Sequence, residues 1–232
     1  MIGAEGGTAE QVDARVAERA RRSLGSSGDA IYRMVADAVA ARHPGGGTLV
    51  DVGCGGGRLW PFVRGRFDRY VGVDAVRYDG FPPDGEFHAA DLDAGAPSLP
   101  GAIGDVVAAV ETIEHLENPR AFFRTLVRLA RPGGWIVVTT PNQLSLLSRA
   151  TLLARGEHNA FRDASYPAHI TALLEVDLRR IAAECGVEDV AVEYSGSGRV
   201  VLTGAHFPRW MSRLWPRGLS DNVLLAARKP RA

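Results

Sequence analysis

Short apolar runs alternate along this chain with longer stretches in which apolar residues recur every three or four positions. The runs are Thr48–Val52, Arg69–Asp74, Glu86–Ala90, Asp105–Val110 and Trp135–Thr140, with Glu86–Ala90 the least apolar. Near-continuous apolar character over so few residues predicts strands covered on both faces, as in a parallel sheet. Between them lie helical patterns. Ala30–Arg42 carries Ile31, Met34, Val35, Ala38 and Val39 on one face, with Asp29 placed to cap it. Pro119–Ala130 opens on a proline suited to a first helical turn and precedes the breaker Pro132-Gly133-Gly134. Further on, Glu175–Cys185 reads as an amphipathic helix, and Val187–Tyr194 and Asn222–Arg228 as alternating strands. Strand–helix alternation of this kind predicts an α/β fold with right-handed crossovers.

The rhythm breaks in three places. Residues 1–9 are glycine-rich and predict disorder, and Glu10–Leu24 is polar with loose helical spacing. Residues 1–43 therefore read as a disordered tip followed by cover helices, and 44–232 as the main domain. Residues 141–172 form a long connection with a helical piece near Leu144–Ala154. A long connection after a strand's C-terminal end is where a substrate site is built. The stretch 195–220 has no acidic residue, and Arg209, Arg213 and Arg217 recur there beside Trp210, Met211, Leu214 and Trp215. That segment suits a lid packed on its own domain, an anionic ligand, a membrane surface or a partner.

Composition narrows the classes. With 232 residues and zero formal net charge, the chain can bury a full core and has no global attraction to nucleic acid or membrane. Two cysteines, Cys54 and Cys185, lack metal-ligand spacing, and no apolar run approaches a bilayer-spanning length. The expected setting is reducing and cytoplasmic, and the oligomeric state is open.

The chemistry centres on Leu49–Leu59, LVDVGCGGGRL, where an apolar strand ends in Asp51 and four glycines follow within five residues. A strand that turns on glycine into a helix N-terminus presents backbone N–H groups to a nucleotide-type ligand. Asp51, Asp74 and Asp91 each stand at a strand end, which in an open parallel sheet faces the binding crevice. A carboxylate after strand two can accept ribose hydroxyls, and one after strand three an adenine amino group.

The ordered set VDVGCGGG, VGVD, ADL, DVVAAVETIEHLENP and ARPGGWIVVTTPN resembles the class I S-adenosylmethionine-dependent methyltransferases over about residues 48–192. The resemblance implies a Rossmann-like, mostly parallel seven-stranded sheet of order 3-2-1-4-5-7-6, its last strand antiparallel, with helices on both faces. It places Gly53, Cys54, Gly55 and Gly57 along the methionine and ribose of the cofactor and Asp51 near its amino group. Asp74 and Ala75 would meet the ribose, Asp91 and Leu92 the adenine, with Glu111 beside the cofactor.

Glu111-Thr112-Ile113-Glu114-His115 follows strand four. If the chain turns into helix there, both carboxylates and the imidazole converge. The segment also resembles the Glu-x-x-Glu-His motif of ubiquinone-pathway O-methyltransferases and small-RNA terminal-ribose methyltransferases. That resemblance implies magnesium or a similar divalent ion on Glu111, Glu114, His115 and His169, with His115, Glu114 and His169 as catalytic candidates. The expected activity is O-methylation of a hydroxylated small molecule or sugar precursor. N-methylation, terminal-ribose methylation of RNA, and a cofactor-binding partner protein without turnover stand as alternatives.

Overall fold

The computed structural model describes residues 16, 18, 20, 21, 23, 25–95 and 99–231. Most of the expected N-terminal tip and first helix therefore lie outside the described residues. Seven strands, β1 (Thr48–Val52), β2 (Arg69–Asp74), β3 (Glu86–Ala89), β4 (Gly104–Ala109), β5 (Ala130–Pro141), β6 (Glu188–Tyr194) and β7 (Asn222–Arg228), form one sheet. Their order is β3-β2-β1-β4-β5-β7-β6. The first five pair in parallel, while β7 runs antiparallel to both β5 and β6. The Rossmann-like sheet anticipated from the sequence is the one observed.

The period-two geometry of strands explains the double core. Val50, Val52, Val71, Val73, Val107, Ala109, Ile136 and Val138 point to one face and pack with Phe122, Phe123 and Leu126 of α3 (Pro119–Leu129) and Leu178 and Ile181 of α5 (Glu175–Glu184). Leu49, Tyr70, Val106, Ala108 and Val137 point to the other, against Tyr32, Met34, Val35, Ala38 and Val39 of α1 (Asp29–Arg42) and Trp60 of the short α2 (Trp60–Val63).

Local details depart from the sequence reading in ways the backbone explains. Asp29 is the first residue of α1 rather than its cap. Gly28 occupies that position without a side-chain bond, and Asp29 pairs with Arg33 one turn on. Asn118 does cap α3, accepting the Ala121 N–H at 2.9 Å. The Pro132-Gly133-Gly134 turn is absorbed into β5 as an irregularity. The register passes from Gly104↔Ala130 to Val106↔Trp135, and Gly133 at φ +75° donates its N–H to Lys229 O. The long connection holds α4 (Leu146–Arg155), and the basic insertion holds only α6 (Arg209–Leu214), on which Trp210 and Leu214 are exposed. No helix among the described residues is long and apolar enough to cross a membrane.

Candidate active site

The glycine turn after β1 divides its work among its members. Gly53 lines a cavity of about 660 Å³ above the C-terminal ends of β1, β2 and β4, and a Cβ there would lie 2.3 Å from the Thr112 side chain. Gly55 and Gly57, placed along the cofactor by the resemblance, are not among the residues lining this cavity. At Gly55 a Cβ would stand 2.1 Å from the carbonyl of Gly25, which also accepts the Gly56 N–H; at Gly57 it would stand 2.3 Å from the Pro82 ring. At these two positions the chain's own segments press against the turn and leave no room for a Cβ.

The strand-end acids converge on the same cavity, with Cys54, Ala75 and Leu92 between them. Asp51 is almost fully enclosed, accepts the Tyr70 hydroxyl at 2.8 Å, and is raised by burial to a pKa of about 7 against that bond's opposing pull. Asp74 accepts the N–H of Gly55 at 2.8 Å on one oxygen and that of Ala75 at 2.7 Å on the other; burial raises it too. Asp91 is more open and accepts the Asp93 N–H at 3.0 Å. Burial drives the Cys54 thiol upward, which suits a small packed side chain rather than a nucleophile.

The opposite wall is built by the turn after β4. Glu111 sits at φ +50°, unusual for a side chain with Cβ, and its N–H donates to Thr139 Oγ1 at 2.9 Å. Its Oε2 accepts from Asn222 Nδ2 at 2.8 Å, and its buried Oε1 has no partner. Burial lifts this carboxyl to about 7, with bonds from Thr139 and Asn222 opposing the shift. A 3₁₀ turn, Ile113–His115, follows in place of the α-helix that would have stacked the two carboxylates. The left-handed kink at Glu111 therefore prevents it from stacking one helical turn below Glu114.

Glu114 is fully buried. Its Oε2 accepts from Thr140 Oγ1 at 3.2 Å and its Oε1 is unpartnered. Burial, and then the charge of Glu111, hold its pKa well above the usual carboxylate range. The Glu114 backbone carbonyl accepts the N–H groups of Ile170 and Thr171, each at 3.0 Å, which ties the 141–172 connection to the site. His115 Nδ1 lies 2.7 Å from Ala168 O and His169 Nδ1 lies 2.7 Å from Ala160 O. A carbonyl at Nδ1 calls for the proton there and leaves the lone pair on Nε2. The two rings meet edge to face with centroids 4.7 Å apart, and burial lowers the His169 pKa.

One ligating atom from each of Glu114, His115 and His169 falls within a 4.8 Å cluster. The orphaned carboxylate oxygen and two carbonyl-oriented imidazoles are a donor set that fits a divalent cation. Glu111, the fourth expected ligand, stands outside the cluster, one of its oxygens bonded to Asn222. Residues not foreseen as part of the site are Ser27 and Tyr32, whose N–H and hydroxyl bond at 2.8 Å on the cavity rim, and Tyr70, Thr140 and Asn222. The polar Thr139-Thr140 pair closing an otherwise apolar strand was a legible signal for Thr140; no local pattern marked Tyr70.

The methyltransferase domain family matches residues 21–192. A ubiquinone biosynthesis O-methyltransferase of Albidiferax ferrireducens is 28% identical over 156 residues, 58% of this chain and 61% of that protein. The chain thus spans about three fifths of that relative's length. A protein of the same name from Xanthomonas oryzae pv. oryzae is 29% identical over 174 residues, 67% of this chain and 70% of that protein. Among solved structures, a SAM-dependent methyltransferase of Archaeoglobus fulgidus superposes with a TM-score of 0.62 at 17% identity, over 94% of this chain and 100% of that one.

Proposed function

This chain belongs to the methyltransferase domain family, and from that premise we propose that it transfers a methyl group from S-adenosylmethionine to a hydroxyl oxygen of a small acceptor. The observation that carries the reading is a single cavity of about 660 Å³ lined both by the strand-end acids Asp51, Asp74 and Asp91 and by Glu114, His115 and His169. The names of the curated relatives favour oxygen over nitrogen as the accepting atom.

The donor supplies an activated methyl on a sulfonium, so the protein's work is alignment and removal of a proton. Asp74 faces the ribose hydroxyls, Asp91 and Leu92 the adenine, and Asp51 the amino group of the methionine portion. Gly53, Cys54 and Ala75 line the path between. On the far wall the Nε2 lone pair of His115 takes the acceptor's hydroxyl proton as the oxygen attacks the methyl carbon and the carbon–sulfur bond breaks. The Ala168 carbonyl at Nδ1 holds that ring in the required tautomer. In the metal-assisted form Glu114, His115 and His169 would instead hold a divalent ion, the His115 Nε2 lone pair being spent on it; the ion would lower the pKa of an acceptor hydroxyl and fix its position, and the proton would leave to solvent.

Methyl transfer from labelled S-adenosylmethionine to catechol-type and sugar-type hydroxyls, with and without chelator, tests this. Transfer that Glu114→Ala abolishes and chelator reduces supports the metal-assisted form. Transfer indifferent to chelator and to Glu114 leaves His115 alone as the base. Exclusive transfer to amines sinks the O-methyl reading.

A further inference from the structure

Beyond Glu111, on the side away from the cofactor acids, lies a second cavity of about 300 Å³ above the ends of β5 and β7. Glu111 lines both cavities, so its left-handed kink stands as the partition between them. The position has a direct reading. With the donor over β1 and β2, an acceptor approaching the methyl in line must extend over β4 toward β5 and β7, where this second space opens.

The wall of this space is almost wholly polar. Part of it is internally satisfied: Ser148 Oγ donates to Gln143 Oε1 at 3.2 Å, and Gln143 Nε2 donates to Pro141 O at 2.9 Å. That part is a fixed floor. Other groups have capacity left. Glu111 Oε1 is buried without a partner. The Asn159 side chain lines the cavity and makes no hydrogen bond among the described residues. Arg199 donates through Nε to Asp221 Oδ2 at 2.8 Å, which leaves the outer guanidinium N–H groups and the other Asp221 oxygen for a visitor.

We propose that this cavity is a subsite for an uncharged, hydroxyl-rich ring of the methyl acceptor, a sugar or cyclic polyol. The inference rests on the methyltransferase reading above. Charge decides the class. Arg199 and Asp221 neutralise one another, so an anion would be set against Glu111 and Asp221, and a cation against Arg199. An apolar ring would take the outer Arg199 N–H groups and the Asn159 amide out of water with nothing to bond, an unfavourable outcome for polar atoms. Hydroxyls donate to the open Asp221 oxygen and accept from Asn159 and Arg199. The volume sits at the small end of ligand sites and suits one six-membered ring rather than two.

The test uses the full chain saturated with S-adenosylhomocysteine, with methyl α-D-glucopyranoside and myo-inositol as probes in saturation-transfer NMR and catechol, inorganic phosphate and tetramethylammonium as comparators. Calorimetry measures S-adenosylhomocysteine binding in parallel. The expected result is saturation transfer to a polyol probe that weakens at least fivefold in Asn159→Leu and in Arg199→Gln, with cofactor affinity held within twofold. Polyol binding that both variants leave unchanged overturns the subsite, as does preference for phosphate, tetramethylammonium or catechol. Failure of S-adenosylhomocysteine to bind, with polyol binding still dependent on Asn159, sinks the methyltransferase premise and leaves the subsite standing.

Discussion

Asn222, the first residue of β7, donates its side-chain amide to Glu111 across 2.8 Å, joining residues far apart in sequence at the partition between the two cavities. The bond holds a side chain on a backbone with φ +50°. Asn222→Leu removes the amide donor to Glu111 Oε2 and should cost about 1–3 kcal/mol of stability, measured by urea unfolding. Asn222→Asp sets two carboxylates together, so its deficit should be larger at pH 8 than at pH 5, where protonation relieves the repulsion.

Asp51 gives a pH prediction for the unliganded protein. Its folded pKa of about 7 lies above the ordinary 3.8. A carboxyl raised in this way binds its proton more tightly when folded. Its cost is absent below pH 3.8, grows as pH rises toward 7, and is complete above that. Asp51→Asn should therefore raise the melting temperature at pH 8 and leave it nearly unchanged at pH 4. With cofactor the sign reverses. An ammonium beside the carboxyl favours its charged form, so wild-type affinity for S-adenosylhomocysteine should rise from pH 6 to pH 8, and that rise should vanish in Asp51→Asn. Calorimetry across buffers of differing ionisation enthalpy reads both the affinity and the proton released.

The glycine turn can be split by alanine. Gly57→Ala would set a Cβ 2.3 Å from Pro82 on a backbone with φ +69° and should cost about 1–3 kcal/mol. Gly56→Ala has nothing within 4 Å and an ordinary φ, so it should be close to neutral. Equal melting temperatures for the two variants would contradict this division.

His115→Gln keeps a polar side chain but removes the Nε2 lone pair assigned to proton uptake. Turnover should fall by about 10²–10⁴ while S-adenosylhomocysteine affinity stays within a few-fold. A parallel loss of cofactor binding would instead make His115 a structural residue of the cavity.

Much of the fold was open to reading because its signals are local. Apolar runs buried on both faces mark β1, β2 and β4 whatever lies around them, and Pro119 marks the start of α3. The strand-end acids were legible for the same reason, since a strand end and the residue that closes it are neighbours in sequence. Gly55 and Gly57 show where that stops. Glycine signals a close approach, but the sequence does not say to what, and here the neighbours are Gly25 and Pro82.

The chain's pattern alone determined the strand–helix order, the glycine turn at Gly53–Gly57 and the carboxylates at the strand ends, because each depends on residues a few positions apart. The tertiary structure decided which of the groups named around Glu111–His115 actually meet. Glu111 leaves Glu114 for Asn222, and His169 reaches His115 and Glu114 from a connection more than fifty residues later. Those pairings follow from a left-handed kink at one residue and from β7 entering the sheet beside β5. Long-range packing sets both, and no spacing in the sequence encodes them.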